Sequence, residues 1–373
     1  MTITATALPK SGEEDGTVKY AAIGPLDLEA GGFLPDVVLA YETWGQLNAD
    51  ASNAVLIQHA LTGSTHVARG ATDEEGWWEQ LVGPGATIDT NRFFVISINI
   101  VGGCYGSTGP SSEAPDGRPW GSRFPLVTLR DSTEAEARLA EALGIEAWHA
   151  VLGGSMGGAR ALEWAATFPE RVKRCAVISV GAYSTAEQIA FAQAQTLAIR
   201  QDPNFNNGDY YGGTAPEHGL ALARRIAHIT YRSALELDFR FGREAQHQEK
   251  PLAAAVLGER GRYQVESYLD HQGTKLVRRF DANSYIAITE ALMSHDVARG
   301  RGSLEAALSR TTAEFFVAAV DSDRLYFPAQ SRELAAALPG DVPVHVIEAP
   351  IGHDGFLTEI GQLSAQLRGA FFA

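Results

Sequence analysis

The segment Gly-Gly-Ser-Met-Gly-Gly at residues 153–158 decides the fold of this chain. It follows the apolar run Ala-Val-Leu at 150–152 and precedes the helical pattern ARALEWAATF at 159–168. A G-x-S-x-G sequence between a strand and a helix is typical of a nucleophile elbow, in which a tight turn with small neighbours presents the serine hydroxyl at the helix N-terminus. Exposed N–H groups and the helix dipole favour negative charge there. We therefore predict Ser155 as a nucleophile; the alternative is a glycine turn that only allows the strand and helix to pack closely.

A serine needs a base and an acid, which this kind of elbow takes from further along the chain in the order Ser, Asp, His. His353 lies in Gly-His-Asp-Gly at 352–355, just after the last predicted strand, and is the predicted base; a surface loop histidine is the alternative. His345 lies within that strand and is expected to face the core or solvent. Asp321 and Asp323 both follow the predicted strand EFFVAAV, and spacing alone does not separate them. Either aspartate is also a common turn residue.

Acyl chemistry also needs hydrogen-bond donors for the oxyanion. The backbone N–H of Met156, directly after the nucleophile, is one predicted donor. A second is expected from a loop after an early strand. The segment His-Ala-Leu-Thr-Gly at 59–63 follows the apolar run AVLIQ, which makes the N–H of Leu61 the candidate.

The rest of the chain predicts an α/β fold, because short Val- and Ile-rich runs alternate with helical patterns. Residues from about 17 to 41 resemble antiparallel edge strands, and residues 130–144 form a helix in which Thr133 and Glu136 have capping-box spacing. More than a hundred residues after the strand near 175–180 contain helical patterns only. We predict a mostly parallel sheet with an inserted helical lid, divided into a flexible tail at 1–16, a core domain at 17–181 and 312–373, and the lid at 182–311.

The composition excludes several function classes. The 373 residues carry a net charge of −15, so there is no general basic field for nucleic acid or an anionic membrane. No run approaches the roughly 18 apolar residues of a membrane span. The two cysteines, Cys104 and Cys175, have no metal-ligand spacing. These features predict a soluble cytoplasmic protein with no metal and no bound cofactor.

Seven segments in order resemble the homoserine O-acetyltransferase family of methionine biosynthesis, from about residue 20 to the C-terminus. They are HALTG at 59–63, NIVGGCYGSTGPSS at 99–112, GGSMGGARALEWA at 153–165, GLALARRIAHITYRS at 219–233, RFDANSY at 279–285, SDRLYFP at 322–328 and GHDGFL at 352–357. The ordered set is highly specific. The resemblance implies an α/β-hydrolase fold, with Ser155, Asp323 and His353 as the catalytic triad and Leu61 and Met156 as oxyanion donors. One departure is that Leu325, Tyr326 and Phe327 precede Pro328, whereas the family has Leu-Phe-Pro.

The resemblance also implies an amino-acid acceptor site. It assigns Arg224 and Tyr231 on a lid helix, Asp354 beside the base, and Thr62 as a polar group near the oxyanion hole. Arg224 and Tyr231 are seven residues apart, so a helix presents both on one face, where a guanidinium suits a substrate carboxylate. The alternative for Arg224 is a structural ion pair. Asp354 is expected to bind the α-ammonium group.

The predicted reaction is a ping-pong transfer of acetyl from acetyl-CoA, through acetyl-Ser155, to the hydroxyl of L-homoserine. A succinyl donor or a serine acceptor belongs to related enzymes and is not excluded by the motifs. An esterase has the same triad and fold, and a non-catalytic binding protein is the third alternative. A homodimer packed through the lid is what the family implies.

Overall fold

The computed structural model describes residues 16–71, 73–253 and 256–373; the predicted tail at 1–16 lies outside the described residues except for Gly16. Eight strands form one sheet in the order β1-β2-β6-β3-β7-β8-β9-β10, and two short strands pair separately. The strands are β1 Lys19–Asp27, β2 Phe33–Trp44, β3 Ala54–Gln58, β4 Val82–Gly83, β5 Ile88–Asp89, β6 Phe94–Ile98, β7 Ala150–Gly154, β8 Arg174–Ile178, β9 Glu314–Val320 and β10 Val344–Ile347.

The sheet is mostly parallel, as predicted. Strands β6, β3, β7, β8, β9 and β10 run in parallel, whereas β1 and β2 form an antiparallel hairpin whose second strand pairs antiparallel with β6. Every residue of β3, β6 and β7 is buried. Because helices and loops cover both faces of these strands, their sequences are continuously apolar instead of alternating.

Eleven α-helices are present in the described residues. They are α1 Leu129–Ala142, α2 Met156–Thr167, α3 Ala186–Arg200, α4 Glu217–Tyr231, α5 Ala234–Phe241, α6 Gln264–Val277, α7 Ala282–Met293, α8 Leu304–Leu308, α9 Pro328–Ala337, α10 Gly355–Thr358 and α11 Ile360–Phe371. Helices α3 to α8 lie between β8 and β9, and no strand of the sheet interrupts them in the residues described there. This is the predicted helical lid, with two short helices, α5 and α8, that the sequence patterns did not indicate. The domain boundaries stay a prediction.

The capping box of α1 is not formed by Thr133 and Glu136, as their spacing had suggested. The helix begins at Leu129, where the Thr128 side chain accepts a hydrogen bond from the Asp131 N–H and the Asp131 carboxylate accepts one from the Thr128 N–H. Glu136 is not a capping residue. Its side chain is buried, pairs with the buried guanidinium of Arg160, and accepts a hydrogen bond of 2.7 Å from Trp164 Nε1. The Thr133 and Glu136 spacing is therefore not a helix cap, because Glu136 is part of the buried core.

Four loops meet at one edge of the sheet. They follow the carboxyl ends of β3, β7, β9 and β10, which are parallel strands, so all four emerge on the same side. This edge is where ligands bind in open α/β sheets. No helix among the described residues is long and apolar enough to cross a membrane.

Candidate active site

Ser155 lies at the junction of β7 and α2 in a strained backbone conformation. Its φ and ψ are 57° and −127°, in a region that non-glycine residues rarely adopt. The turn is closed so tightly that a Cβ on Gly157 would lie 2.0 Å from the carbonyl oxygen of Gln58. Only glycine fits there, which explains the glycine-rich sequence. The strain fixes the serine hydroxyl at the N-terminus of α2.

Ser155, His353 and Asp323 form one hydrogen-bonded chain. His353 Nε2 lies 2.8 Å from Ser155 Oγ, and His353 Nδ1 lies 2.6 Å from Asp323 Oδ2. With the carboxylate facing Nδ1, the neutral ring carries its proton on Nδ1 and has Nε2 free to accept the serine proton. This is the arrangement of a nucleophile, a general base and an orienting acid.

The structure separates the two aspartates that the sequence left open. Asp323 is buried, and its second oxygen, Oδ1, accepts hydrogen bonds of 2.8 and 2.9 Å from the N–H groups of Leu325 and Tyr326. Asp321 is exposed and its Oδ1 accepts a hydrogen bond of 3.0 Å from the Ala349 N–H. Only Asp323 contacts His353, so Asp323 has the geometry of the acid.

Tyr326, in the segment that departs from the family pattern, has a structural role. Tyr326 is buried, its N–H binds Asp323, and its ring centroid lies 5.4 Å from that of His353. Phe327, the next residue, is half exposed and begins the turn into α9. With this Leu-Tyr-Phe-Pro sequence the loop still holds Asp323 against His353.

Asp323 raises the pKa of His353. Burial alone would lower the pKa of His353, but the charge and hydrogen bond of Asp323, with a smaller contribution from Asp354, raise its pKa above the usual value. An imidazole with a raised pKa is a stronger base for the serine proton. The same carboxylate stabilises the imidazolium that forms when the proton moves.

The predicted oxyanion donors lie on two different elements. Met156 is the first residue of α2, so its N–H has no acceptor within the helix. Leu61 lies in a turn after β3 in which Gly63 N–H donates to the Ala60 carbonyl at 2.8 Å. Leu61 also lines the cavity in front of Ser155. The two N–H groups are therefore both carried by elements that meet at the serine.

A small cavity of about 50 Å³ lies beside Ser155. The lid supplies most of its wall and the core supplies the rest. The residues that line it are Leu61, Ser155, Gln188, Phe191, Ala192, Gln195, Thr230, Tyr231, Thr289, Leu292, Met293, Leu325 and Tyr326. No cationic side chain is among them, and the buried Thr289 hydroxyl has no hydrogen-bond partner among the described residues.

Arg224 and Tyr231 lie on one face of α4, as their spacing predicted. The guanidinium carbon of Arg224 lies 5.5 Å from the centroid of the Tyr231 ring, and Arg224 Nη1 donates to Thr62 Oγ1 at 3.3 Å. Within the part of the chain that the structure describes, no carboxylate lies within ion-pair distance of Arg224. The alternative explanation of Arg224, a structural ion pair, is therefore not observed among the described residues. Thr62 contacts this arginine and is not part of the cavity wall.

Asp354 has a partner that the sequence did not indicate. Its carboxylate lies 3.4 Å from Arg232 Nη2, at the end of α4, instead of lining the cavity. The same end of α4 is bonded to the loop of the base, because Ser233 N–H donates to the Ile351 carbonyl at 3.1 Å. At Gly352, where φ is +95°, a Cβ would lie 2.6 Å from Ser233 N. The lid and the histidine loop are thus in direct backbone contact.

Two further residues near the site carried no recognisable signal in the sequence alone. His59 is buried at the end of β3 and Arg232 is largely buried at the end of α4. Both lie inside the quoted motifs, but their partners are distant in the sequence. In residues 16–71, 73–253 and 256–373, no cluster of three His, Cys, Asp or Glu side chains could hold a metal ion.

The comparisons with known proteins agree with this geometry. Residues 53–360 match the family model described as alpha/beta hydrolase fold. A homoserine O-acetyltransferase of Thermobifida fusca is 55% identical over 372 residues, covering 98% of this chain and 97% of that protein. The chain belongs to the homoserine O-acetyltransferase family.

Two solved structures show what is shared across this family and beyond it. Homoserine O-acetyltransferase from Bacillus anthracis superposes with a TM-score of 0.88 at 27% identity, covering 96% of this chain and 98% of that one. Esterase E22 superposes with a TM-score of 0.86, also at 27% identity, covering 95% and 99%. A homoserine O-acetyltransferase family member and an esterase therefore share nearly the whole backbone architecture.

Proposed function

We propose that the protein is an acyltransferase that moves an acetyl group from acetyl-CoA to the side-chain hydroxyl of L-homoserine. The chain of Ser155, His353 and Asp323, with distances of 2.8 and 2.6 Å, carries this proposal. It supports a covalent acetyl-Ser155 intermediate. The identity of 55% to a homoserine O-acetyltransferase over almost the whole chain supports the choice of substrates.

In the first half-reaction His353 Nε2 takes the proton of Ser155 Oγ as that oxygen attacks the thioester carbon. The carbonyl oxygen becomes an oxyanion that accepts hydrogen bonds from the Leu61 and Met156 N–H groups. When the tetrahedral intermediate collapses, the C–S bond breaks and the imidazolium returns the proton to the CoA sulfur. The products are acetyl-Ser155 and free CoA.

In the second half-reaction the hydroxyl of homoserine occupies the place of the thiol. His353 takes its proton as the oxygen attacks the acetyl carbon, and the same two N–H groups stabilise the second oxyanion. The Ser155 ester bond then breaks, the proton returns to Ser155 Oγ, and O-acetyl-L-homoserine leaves. Asp323 orients the imidazole ring and stabilises its charged form in both halves.

The cavity favours an acetyl donor over a succinyl donor. Its volume of about 50 Å³ suits a small group, and its wall has no cationic side chain. The terminal carboxylate of a succinyl group would meet no cationic side chain in this wall, and the nearby guanidinium group of Arg224, over the Tyr231 ring, is assigned to the carboxylate of the acceptor. Acetyl-CoA is therefore the proposed co-substrate, with no bound cofactor.

Arg224 supports an amino-acid acceptor. Its described partners are the neutral Thr62 hydroxyl and the Tyr231 ring, so its charge is available for a substrate carboxylate. Asp354 is proposed to bind the substrate ammonium group. Because Asp354 already pairs with Arg232, the ammonium would share this carboxylate with the arginine.

An esterase is the second candidate, and the similarity to esterase E22 favours considering it. Steady-state turnover with homoserine, serine and water as acceptors, each with acetyl-CoA and succinyl-CoA, tests the proposal. We expect rapid transfer from acetyl-CoA to homoserine and slow hydrolysis. Discharge of acetyl-Ser155 to water as fast as to homoserine would favour the esterase.

Arg224→Ala tests the acceptor site separately. Acetyl-Ser155 should form as in the wild type, whereas its discharge to homoserine should lose about 2–5 kcal/mol, as for removal of one partner of a desolvated charge pair. Arg224→Lys should recover only part, because an ammonium group lacks the planar fork of donors. Unchanged discharge in Arg224→Ala would remove the carboxylate-binding role.

A homodimer through the lid and a cytoplasmic location complete the proposal. Helix α5 exposes 95% of Phe239 and 76% of Leu235, which are four residues apart and lie on one face. An apolar face of this kind suits burial against a second copy. Sedimentation of the wild type and of Phe239→Glu would test it: a monomeric wild type would contradict the dimer.

A further inference from the structure

Two of the quoted motifs, RFDANSY and NIVGGCYGSTGPSS, have no role in the mechanism above, yet they meet beside the loop of Leu61. Arg279 begins the first motif and lies between α6 and α7 of the lid. Its Nη1 donates to the hydroxyl oxygen of Tyr105, which belongs to the second motif. The rings of Tyr105 and Phe280 pack edge to face at 5.6 Å. Asp281 caps α7 and accepts hydrogen bonds from two tyrosines, so the position of Arg279 is well anchored.

Arg279 also binds the backbone of the loop after β3. Its Nη1 donates to the carbonyl oxygen of Thr62 at 2.8 Å. Both acceptors of Arg279 are neutral, and no carboxylate lies within ion-pair distance of it in the residues described. Arg279 is exposed to solvent, and its guanidinium group faces the Thr62 carbonyl with no carboxylate partner among the described residues.

A chain of peptide groups connects this charge to Leu61. The Thr62 carbonyl belongs to the same peptide group as the Gly63 N–H, and that N–H donates to the Ala60 carbonyl at 2.8 Å. The Ala60 carbonyl shares its peptide group with the Leu61 N–H. Because both peptide groups are planar and trans, fixing each carbonyl fixes the direction of the N–H opposite to it.

His59 holds the same turn from its other side. Its Nε2 accepts from the Ile100 N–H at 3.1 Å, which leaves the ring proton on Nδ1 to donate to the Ala60 carbonyl at 2.8 Å. Burial, followed by the charge of Arg160, lowers the pKa of His59 to about 3. The ring is therefore neutral at physiological pH. The Ala60 carbonyl has two donors, which leaves the Leu61 N–H little freedom to rotate.

We propose that Arg279 is a positioning residue for the acyl transfer, acting as the cationic end of a hydrogen-bonded chain that runs through Thr62, Gly63 and Ala60 to the Leu61 N–H. The dipoles of the two peptide groups point the same way, and a positive charge at the far end polarises both. This strengthens and orients the donor that faces the developing oxyanion. The inference rests on the proposed function, in which Leu61 is an oxyanion donor.

Single-turnover acetylation of Ser155 tests the inference with two donors, acetyl-CoA and p-nitrophenyl acetate. Arg279→Met should slow acetylation by both donors by a similar factor, roughly tenfold, which is less than the roughly 10²–10³-fold cost of deleting an oxyanion donor. The acetyl-CoA concentration at half-maximal rate should not change. Arg279→Lys should recover part of the rate. The matched control is Arg278→Met, at the neighbouring residue, which is exposed like Arg279 and should match the wild type.

The second donor separates positioning from substrate binding, since p-nitrophenyl acetate has no phosphate groups. A loss confined to acetyl-CoA would mean that Arg279 binds CoA phosphates and would overturn the inference. Wild-type rates in Arg279→Met, or an equal loss in Arg278→Met, would also overturn it.

If Arg279→Met does not fold, Tyr105→Phe gives the answer. It removes the second anchor of Arg279 and should slow both donors by a smaller common factor, whereas wild-type rates in it would overturn the inference. A wild type that forms no acetyl-Ser155 with either donor would overturn the proposed function.

Discussion

Replacement of Asp323 by asparagine should reduce turnover by several orders of magnitude without unfolding the protein. Asparagine keeps the shape and one oxygen to accept from the Leu325 and Tyr326 N–H groups, which Asp323 Oδ1 binds at 2.8 and 2.9 Å. It then presents an NH2 group to His353 Nδ1. This group favours the wrong tautomer of the ring, with the proton on Nε2, where it cannot accept the serine proton.

The size of the loss follows from the charge that is removed. Asp323 Oδ2 lies 2.6 Å from His353 Nδ1, and both side chains are almost completely buried. Two unit charges at this separation attract by about 6 kcal/mol at an effective dielectric constant of roughly 20. A loss of this size corresponds to about 10⁴-fold in rate, which is similar to that measured when the acid of another triad is changed to asparagine.

The pH profile of acetylation gives a second, independent readout. His353 works as a base only when neutral, so wild-type activity falls as the pH drops through the raised pKa of His353. Asp323→Asn removes the main cause of the raised pKa and leaves burial, which lowers the pKa. The acid limb of the residual activity should therefore move to lower pH.

The assay is the rate of CoA release from acetyl-CoA, measured from pH 5 to 9 for wild type and variant. Asp321→Asn is the matched control, because Asp321 is exposed and its carboxylate contacts Ala349 and not the base. The control should keep nearly full activity. An Asp321→Asn variant as impaired as Asp323→Asn, or an acid limb that does not move in Asp323→Asn, would refute the assignment of Asp323 as the acid.

Three further substitutions probe the nucleophile, the core and the lid. Ser155→Ala should abolish the acetyl adduct seen by mass spectrometry while leaving the urea unfolding midpoint unchanged, since only a hydroxyl is lost. Glu136→Leu leaves the buried Arg160 without its counter-charge and should lower the free energy of unfolding by about 3–5 kcal/mol, measured by urea denaturation. Gly352→Ala places a Cβ 2.6 Å from Ser233 N at a positive φ and should lower the melting temperature together with kcat, with a loss of about 1–3 kcal/mol in stability.

The sequence predicted the parts of this structure that follow local rules. Buried parallel strands have continuous apolar runs, and the elbow has a turn that few sequences can form, so the sheet and Ser155 were both predictable. The position of His353 beside Ser155 followed from its place after the last strand. The carboxyl ends of parallel strands share one edge of the sheet, which is why residues nearly two hundred positions apart meet there.

The sequence did not predict side-chain directions. Asp321 and Asp323 lie two residues apart in one loop. Their spacing does not indicate that only the Asp323 side chain points toward His353. Thr133 and Glu136 have the spacing of a capping box, but Thr128 and Asp131 have an equivalent spacing one turn earlier and make the cap. The pairing of Asp354 with Arg232 joins residues more than a hundred positions apart, so no local pattern indicates it.

The backbone contact between Ser233 and Ile351 has a consequence for protein engineering. Esterase E22 and this chain share an architecture, which invites the exchange of lids to turn hydrolysis into transfer. A graft cut only at the two ends of the lid would combine one protein's α4 with the other's histidine loop, and would separate Gly352 from the Ser233 backbone against which only a glycine fits in this chain. A chimera that transfers acetyl groups must therefore inherit residues 349–355 and the lid from the same parent.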